Sequence, residues 1–148
     1  MLPMTTHNQP TTAQLWRMQF TSTPKCVPLV RKQVGKQLVG WGYSTDDTDR
    51  VLLVCSELAT NAVQHGHSPG HLFEVFVSAR GSHCLIEVSD ASRRPPQPVE
   101  AAVSDEHGRG LLLVATLAEE TGHRARSPIG KTVWARLLLN PPKEESDT

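Results

Sequence analysis

Between Asp46 and Gly66 the chain carries a pattern that a packed helix satisfies and a strand or loop does not. Val51, Leu52, Cys55, Leu58, Ala59, Ala62 and Val63 recur at helical spacing and form one broad apolar stripe. Asp46 and Asp47 suit the positive end of the helix dipole, and Gly66 supplies a stop. Glu57 and Asn61 lie four residues apart, so they project into the same space, largely to the other side of the stripe. The carboxylate is able to take a proton or orient a nucleophile, and the amide oxygen is a hard ligand for Mg²⁺. Read alone, the same helix is more simply an ordinary amphipathic one with a polar rim.

The flanking segments fix the layering. Leu15 to Phe20 alternates, with Trp16, Met18 and Phe20 on one face, and reads as a strand. Thr23-Pro24 and Pro28 mark a helix start, and Gly40-Trp41-Gly42 ends that helix after Val39. Beyond Gly66, strands are expected over Leu72–Arg80 and His83–Asp90, joined by a turn at Gly81-Ser82. A helix from about Gly110 to Ala118 follows, then strands near Thr121–Ser127 and Lys131–Leu139 turning at Pro128-Ile129-Gly130. The order β-α-α-β-β-loop-α-β-β predicts an α/β two-layer sandwich, a mixed, largely antiparallel sheet with helices on one face. Residues 13–140 are expected to form one domain, and the polar stretches 1–12 and 141–148 to be disordered.

Composition narrows the function classes. Lysine plus arginine balance aspartate plus glutamate at 15 each, so no basic or acidic field points to nucleic acid or a charged membrane surface. The N-terminal segment has no apolar run of the kind a signal peptide needs, and no stretch reaches membrane-spanning length. The cytoplasm is the expected location. Cys26, Cys55 and Cys84 share no metal-ligand or redox spacing and read as buried reduced thiols.

Two further motifs follow the helix in order. Val88-Ser89-Asp90 ends a strand, where an acid with apolar neighbours is placed to accept a hydrogen bond from a ligand amine; the plainer alternative is a turn-capping acid. His107-Gly108-Arg109-Gly110-Leu111-Leu112 puts two glycines just before an apolar helix. Such glycines let the backbone approach phosphates, and the helix N-terminus offers free N–H groups; a Gly-x-Gly by itself is also compatible with a flexible loop.

Taken together, these segments resemble the GHKL, or Bergerat, nucleotide-binding fold shared by histidine kinases, gyrase-type ATPases and Hsp90 chaperones. Glu57–Asn61 matches the N box, Asp90 the first glycine box and Gly108-Arg109-Gly110 the second. Within that superfamily, Leu52-Leu-Val-Cys-Ser-Glu-Leu-Ala-Thr-Asn-Ala-Val and Gly108-Arg-Gly-Leu-Leu-Leu-Val are similar to bacterial anti-sigma factor serine kinases of the small, single-domain actinobacterial type. The likeness spans roughly residues 15–139.

The resemblance implies roles for the matching positions. Asn61 would hold the Mg²⁺ that bridges the ATP phosphates, and Glu57 would be the catalytic base that orients or deprotonates the attacking hydroxyl. Asp90 would accept the adenine amino group, with Ser92 beside it in the first box. Gly108, Gly110 and the following Leu111 would present the phosphate-facing backbone, with Arg109 adding charge, and Thr132 would support the base. The segment between Asp90 and Gly108 would form a lid. The first box departs from the family pattern: Ser92 stands where a glycine is usual, and Arg93-Arg94 replace a further one. This departure bears on affinity and turnover more than on fold.

Other signals are set aside. Gly130-Lys131-Thr132 mimics the end of a P-loop, but the earlier glycine is replaced by Ala125 and no helix follows. His65, His67 and His71 crowd one loop without an acid or cysteine to complete a metal site. Trp16, Trp41 and Trp134 read as packing residues. The function expected from the resemblance is ATP-dependent transfer of the γ-phosphoryl group to Ser or Thr of an anti-sigma factor antagonist-like protein, with control of a sigma factor. A catalytically weak, ATP-sensing binding module is the alternative. A histidine kinase catalytic domain is disfavoured, since no phosphoacceptor helix accompanies the motifs. The resemblance also implies a homodimer built at the Leu15–Phe20 edge, and no direct contact with nucleic acid or membrane.

Overall fold

The computed structural model describes residues 12–65, 71–91, 113–126 and 129–142. Strand β1 (Gln14–Thr21) leads into helices α1 (Cys26–Gly40) and α2 (Thr45–His65), then strands β2 (Leu72–Arg80) and β3 (His83–Asp90). A helical turn, α3, covers 113–117 and is followed by β4 (Glu120–Ala125) and β5 (Lys131–Leu138). The five strands form one sheet in the order β1-β2-β3-β5-β4, and all four ladders are antiparallel. The expected largely antiparallel sheet is thus realised with no parallel pair among the described strands.

Local chemistry explains the helix boundaries. The Trp41 N–H donates to Gln37 O at 2.9 Å and the Tyr43 N–H to Leu38 O at 3.1 Å, while Gly42 adopts φ +95°. A left-handed residue directly after the last turn is where glycine is least strained, which is why Gly40-Trp41-Gly42 stops α1. Ser44 Oγ accepts the Asp47 N–H at 3.1 Å and so caps α2. Asp47 is itself buried. Its Oδ1 accepts from Arg50 at 3.1 Å and its Oδ2 from the Asn140 N–H at 2.7 Å, which ties the end of β5 to the start of α2.

The helices cover one face of the sheet. Side chains alternate along a strand, and residues directly opposite on neighbouring strands share a face. The registers Val88↔Val133, Ile86↔Ala135 and Cys84↔Leu137 therefore put these six residues on one side, where all are buried with Val51, Leu58 and Ala62 of α2. Met18 shares that face with Trp16 and Phe20, but at the β1 edge it stays 41% exposed. The other face is polar, with Arg17–Glu74 at 3.9 Å, Arg124–Glu87 at 3.0 Å and an Arg136–Glu120 pair across it. Exposed pairs of this kind add solubility more than stability.

The cysteines are free. Cys55 and Cys84 are buried as expected, and burial pushes both thiols up to about 12; Cys26 is only half-buried. Trp16 and Trp41 pack against the core, while Trp134 lies on the open face beneath Arg136, whose guanidinium carbon is 5.7 Å from the ring centre. No described helix is long and apolar enough to cross a membrane. Pro141 and Pro142, expected in the tail, are among the described residues, and a Cβ added at Gly42 would come within 3.1 Å of Pro142 Cβ.

Candidate functional site

Helix α2 supplies the first two candidate residues. Glu57 is half-buried, whereas Asn61 is 5% exposed and sits with the packed side of the helix rather than on a polar rim. Its spacing from Val54 and Leu58, i+7 and i+3, places it on the stripe those residues define. That corrects the expectation that the apolar stripe turns largely away from Asn61. Both polar atoms of the Asn61 carboxamide are buried without a hydrogen-bond partner among the described residues. An unpaired buried amide costs about 1–3 kcal/mol, so its retention on a packed helix points to a ligand. The amide oxygen suits Mg²⁺, which takes few protein ligands and completes its shell with phosphates and water. The residues present therefore fit a Mg²⁺–nucleotide complex.

The ends of β3 and β5 supply the rest. Asp90 is the last residue of β3 and is 3% exposed. Its register partner is Lys131, the first residue of β5, and Lys131 Nζ donates to Asp90 Oδ2 at 3.0 Å and Oδ1 at 3.2 Å. Both side chains continue the helix-covered row of Val88 and Val133. Gly130 makes this approach possible: with φ +109°, a Cβ there would lie 2.2 Å from the Asp90 carbonyl oxygen. Only glycine fits such a position without displacing backbone.

Thr132 goes elsewhere. It pairs in register with Ser89, one residue out of phase with Asp90, and the two hydroxyls share a 2.7 Å hydrogen bond on the face turned away from the helices. The structure brings Asp90 together with Lys131 and not with Thr132. The sequence contains that distinction only as strand parity, which becomes legible once Asp90 and Lys131 are known to be opposite.

Ser92, Gly108, Arg109, Gly110 and Leu111 lie outside the described residues, as do the expected lid, His67 and the Ser127-Pro128 part of the last turn. Among the described residues no cluster of His, Cys, Asp and Glu is arranged to hold a metal. An open pocket of about 470 Å³ lies at the far end of β3, lined by Arg80, His83 and Arg136. It touches none of the candidate residues, and its position at the Arg80–His83 turn keeps it apart from the Asp90 end.

Comparison with known proteins identifies the family and the fold. Residues 20–137 match the histidine kinase-like ATPase domain family. The chain is 26% identical over 145 residues to the serine-protein kinase RsbW of Bacillus velezensis and to that of Bacillus subtilis, in each case over 88% of this chain and 89% of the relative. Among solved structures, the RsbU and RsbW domains of a Mycobacterium tuberculosis protein superpose with a TM-score of 0.62 at 19% identity, over 88% of this chain and 34% of that one. The expected likeness to GHKL anti-sigma factor kinases and the expected two-layer fold both hold. With the family match running through the core of α1 and α2 and the β2–β5 sheet, the chain belongs to the histidine kinase-like ATPase domain family.

Proposed function

We propose that this protein binds Mg²⁺·ATP between α2 and the Asp90 end of the sheet, and transfers the γ-phosphoryl group to a Ser or Thr of a regulatory partner. The observation that carries the reading is the buried, unpartnered carboxamide of Asn61 on the helix that also displays Glu57. Asn61 would hold Mg²⁺, which when bound would offset the charge of the phosphates. Glu57, one turn earlier on the same helix, would accept the proton of the attacking hydroxyl. The bond formed is then between that oxygen and the γ-phosphorus, the bond broken joins that phosphorus to the leaving ADP oxygen, and the proton ends on Glu57. Asp90 marks the base end. Gly108, Arg109, Gly110 and Leu111 are assigned by motif to the phosphate end, with Ser92 in the first box.

The RsbW relatives are named serine-protein kinases, which supports a protein substrate phosphorylated on serine; the antagonist-type substrate and the sigma factor partner follow from the motif resemblance. Phosphorylation adds charge at the contact and weakens it. A cytoplasmic location and a homodimer at the β1 edge belong to the same reading. The alternative, an ATP-sensing binding module with little turnover, draws on one observation: the Asp90 carboxylate is already held by Lys131.

The test separates binding from chemistry. Asn61→Ala is expected to abolish Mg²⁺-dependent ATP binding with the fold intact by circular dichroism. Glu57→Ala is expected to retain binding and lose phosphoryl transfer, by about 10²–10⁴-fold, to an antagonist-type protein encoded in the same genome. Wild-type protein that binds ATP yet phosphorylates nothing favours the sensing module. A Glu57→Ala protein weakened in binding alone removes the general-base assignment.

A further inference from the structure

We infer that Lys131 is a base-contacting, specificity-determining residue: with Asp90 it forms an acceptor–donor couple that reads the Watson–Crick edge of adenine. The inference rests on the nucleotide-binding reading of the site and adds a residue that reading does not contain. Three observations lead to it. Lys131 is paired in register with Asp90, so both side chains leave the sheet on the helix-covered face. Its ammonium contacts both carboxylate oxygens, at 3.0 and 3.2 Å, with side-chain exposures of 4% and 3%. The one nearby hydroxyl the motif would have offered, that of Thr132, is spent on Ser89 across the opposite face.

Hydrogen-bond capacity makes the couple usable. An ammonium has three donors, and two suffice for Asp90; a carboxylate has about four acceptor positions, of which Lys131 takes two. The pair therefore offers an acceptor and a donor side by side. Adenine offers the complement, with its 6-amino group donating beside ring nitrogen N1, which accepts. In this arrangement Asp90 accepts from the amino group and Lys131 donates to N1. The buried carboxylate stays neutralised throughout, so its charge is not stranded when the base arrives. Gly130 presses the start of β5 against the Asp90 backbone and holds the two groups in this relation.

The experiment is a calorimetric comparison, in the presence of Mg²⁺, of ADP, 1-deaza-ADP (N1 replaced by C–H) and the purine analogue lacking the 6-amino group. Wild-type protein is expected to bind both analogues about 10- to 100-fold more weakly than ADP, as befits hydrogen bonds to charged groups. Lys131→Met is expected to bind ADP and 1-deaza-ADP alike while still discriminating against the analogue without the amino group. A purely structural lysine would not produce that selective loss. Equal wild-type affinity for ADP and 1-deaza-ADP overturns the role of Lys131 and leaves the nucleotide site standing. Absence of any ADP binding overturns both. The wild-type arm needs no variant, so a Lys131→Met protein that fails to fold does not rescue the idea.

Discussion

Two neighbouring rungs of the β3–β5 ladder hold polar pairs of very different character. Asp90–Lys131 is an ion pair on the helix-covered face, and Ser89–Thr132 is a hydroxyl pair on the other, one residue away. Both are buried. The first joins opposite charges that each depend on the other, because a charge left alone in such surroundings is expensive. The second is a neutral bond; removing one member leaves only an uncharged hydroxyl unpaired, which costs less than a stranded charge. The contrast shows that parity along a strand, not membership of a motif, decides which residue of Lys131-Thr132 lies beside Asp90.

The comparison is broken most severely at Lys131. Lys131→Met removes the cation that neutralises the buried Asp90 carboxylate and is expected to lower unfolding stability by about 3–5 kcal/mol in urea titrations. Combining it with Asp90→Asn, which leaves no charge behind, should restore most of that loss; a double variant as unstable as the single would refute the ion-pair account. Next comes the contact that aligns the rung. Gly130→Ala introduces a side chain at φ +109° and 2.2 Å from the Asp90 carbonyl oxygen, and a loss of about 1–3 kcal/mol is expected. A thermal melt unchanged from wild type would show that the turn relaxes freely. The smallest effect belongs to the other face. Thr132→Val leaves the buried Ser89 hydroxyl without this partner, a loss of about 1 kcal/mol at the low end for such groups, and should leave ADP affinity untouched. Weakened nucleotide binding in a stable Thr132→Val protein would return the base-supporting role to Thr132.

Much of this architecture is legible in the residues themselves. The bounds of β2 and β3 follow from alternation in Leu72–Arg80 and His83–Asp90 with a glycine turn between, and Gly81 indeed has φ +58°. The end of α1 follows from Gly42, and the order of elements from the succession of apolar periods. What resists reading is depth. Asn61 looks like a polar-rim residue because carboxamides are mostly exposed, yet its spacing from Val54 and Leu58 carries it onto the packed side. Lys131 looks like a surface lysine after a turn, and only the long-range register with Asp90, 41 residues earlier, reveals its burial. Local periodicity encodes elements well; which polar residue ends up facing which across a sheet is a tertiary fact.

The most direct measurement is a calorimetric titration of Mg²⁺·ATP into the wild-type protein and into the Asp90→Ala/Lys131→Met double variant, which strands no charge. Saturable wild-type binding that falls by about tenfold or more in a folded double variant is the expected result. Equal binding by the two proteins would move the nucleotide away from the Asp90 end of the sheet, and no wild-type binding at millimolar ATP would contradict the nucleotide site itself.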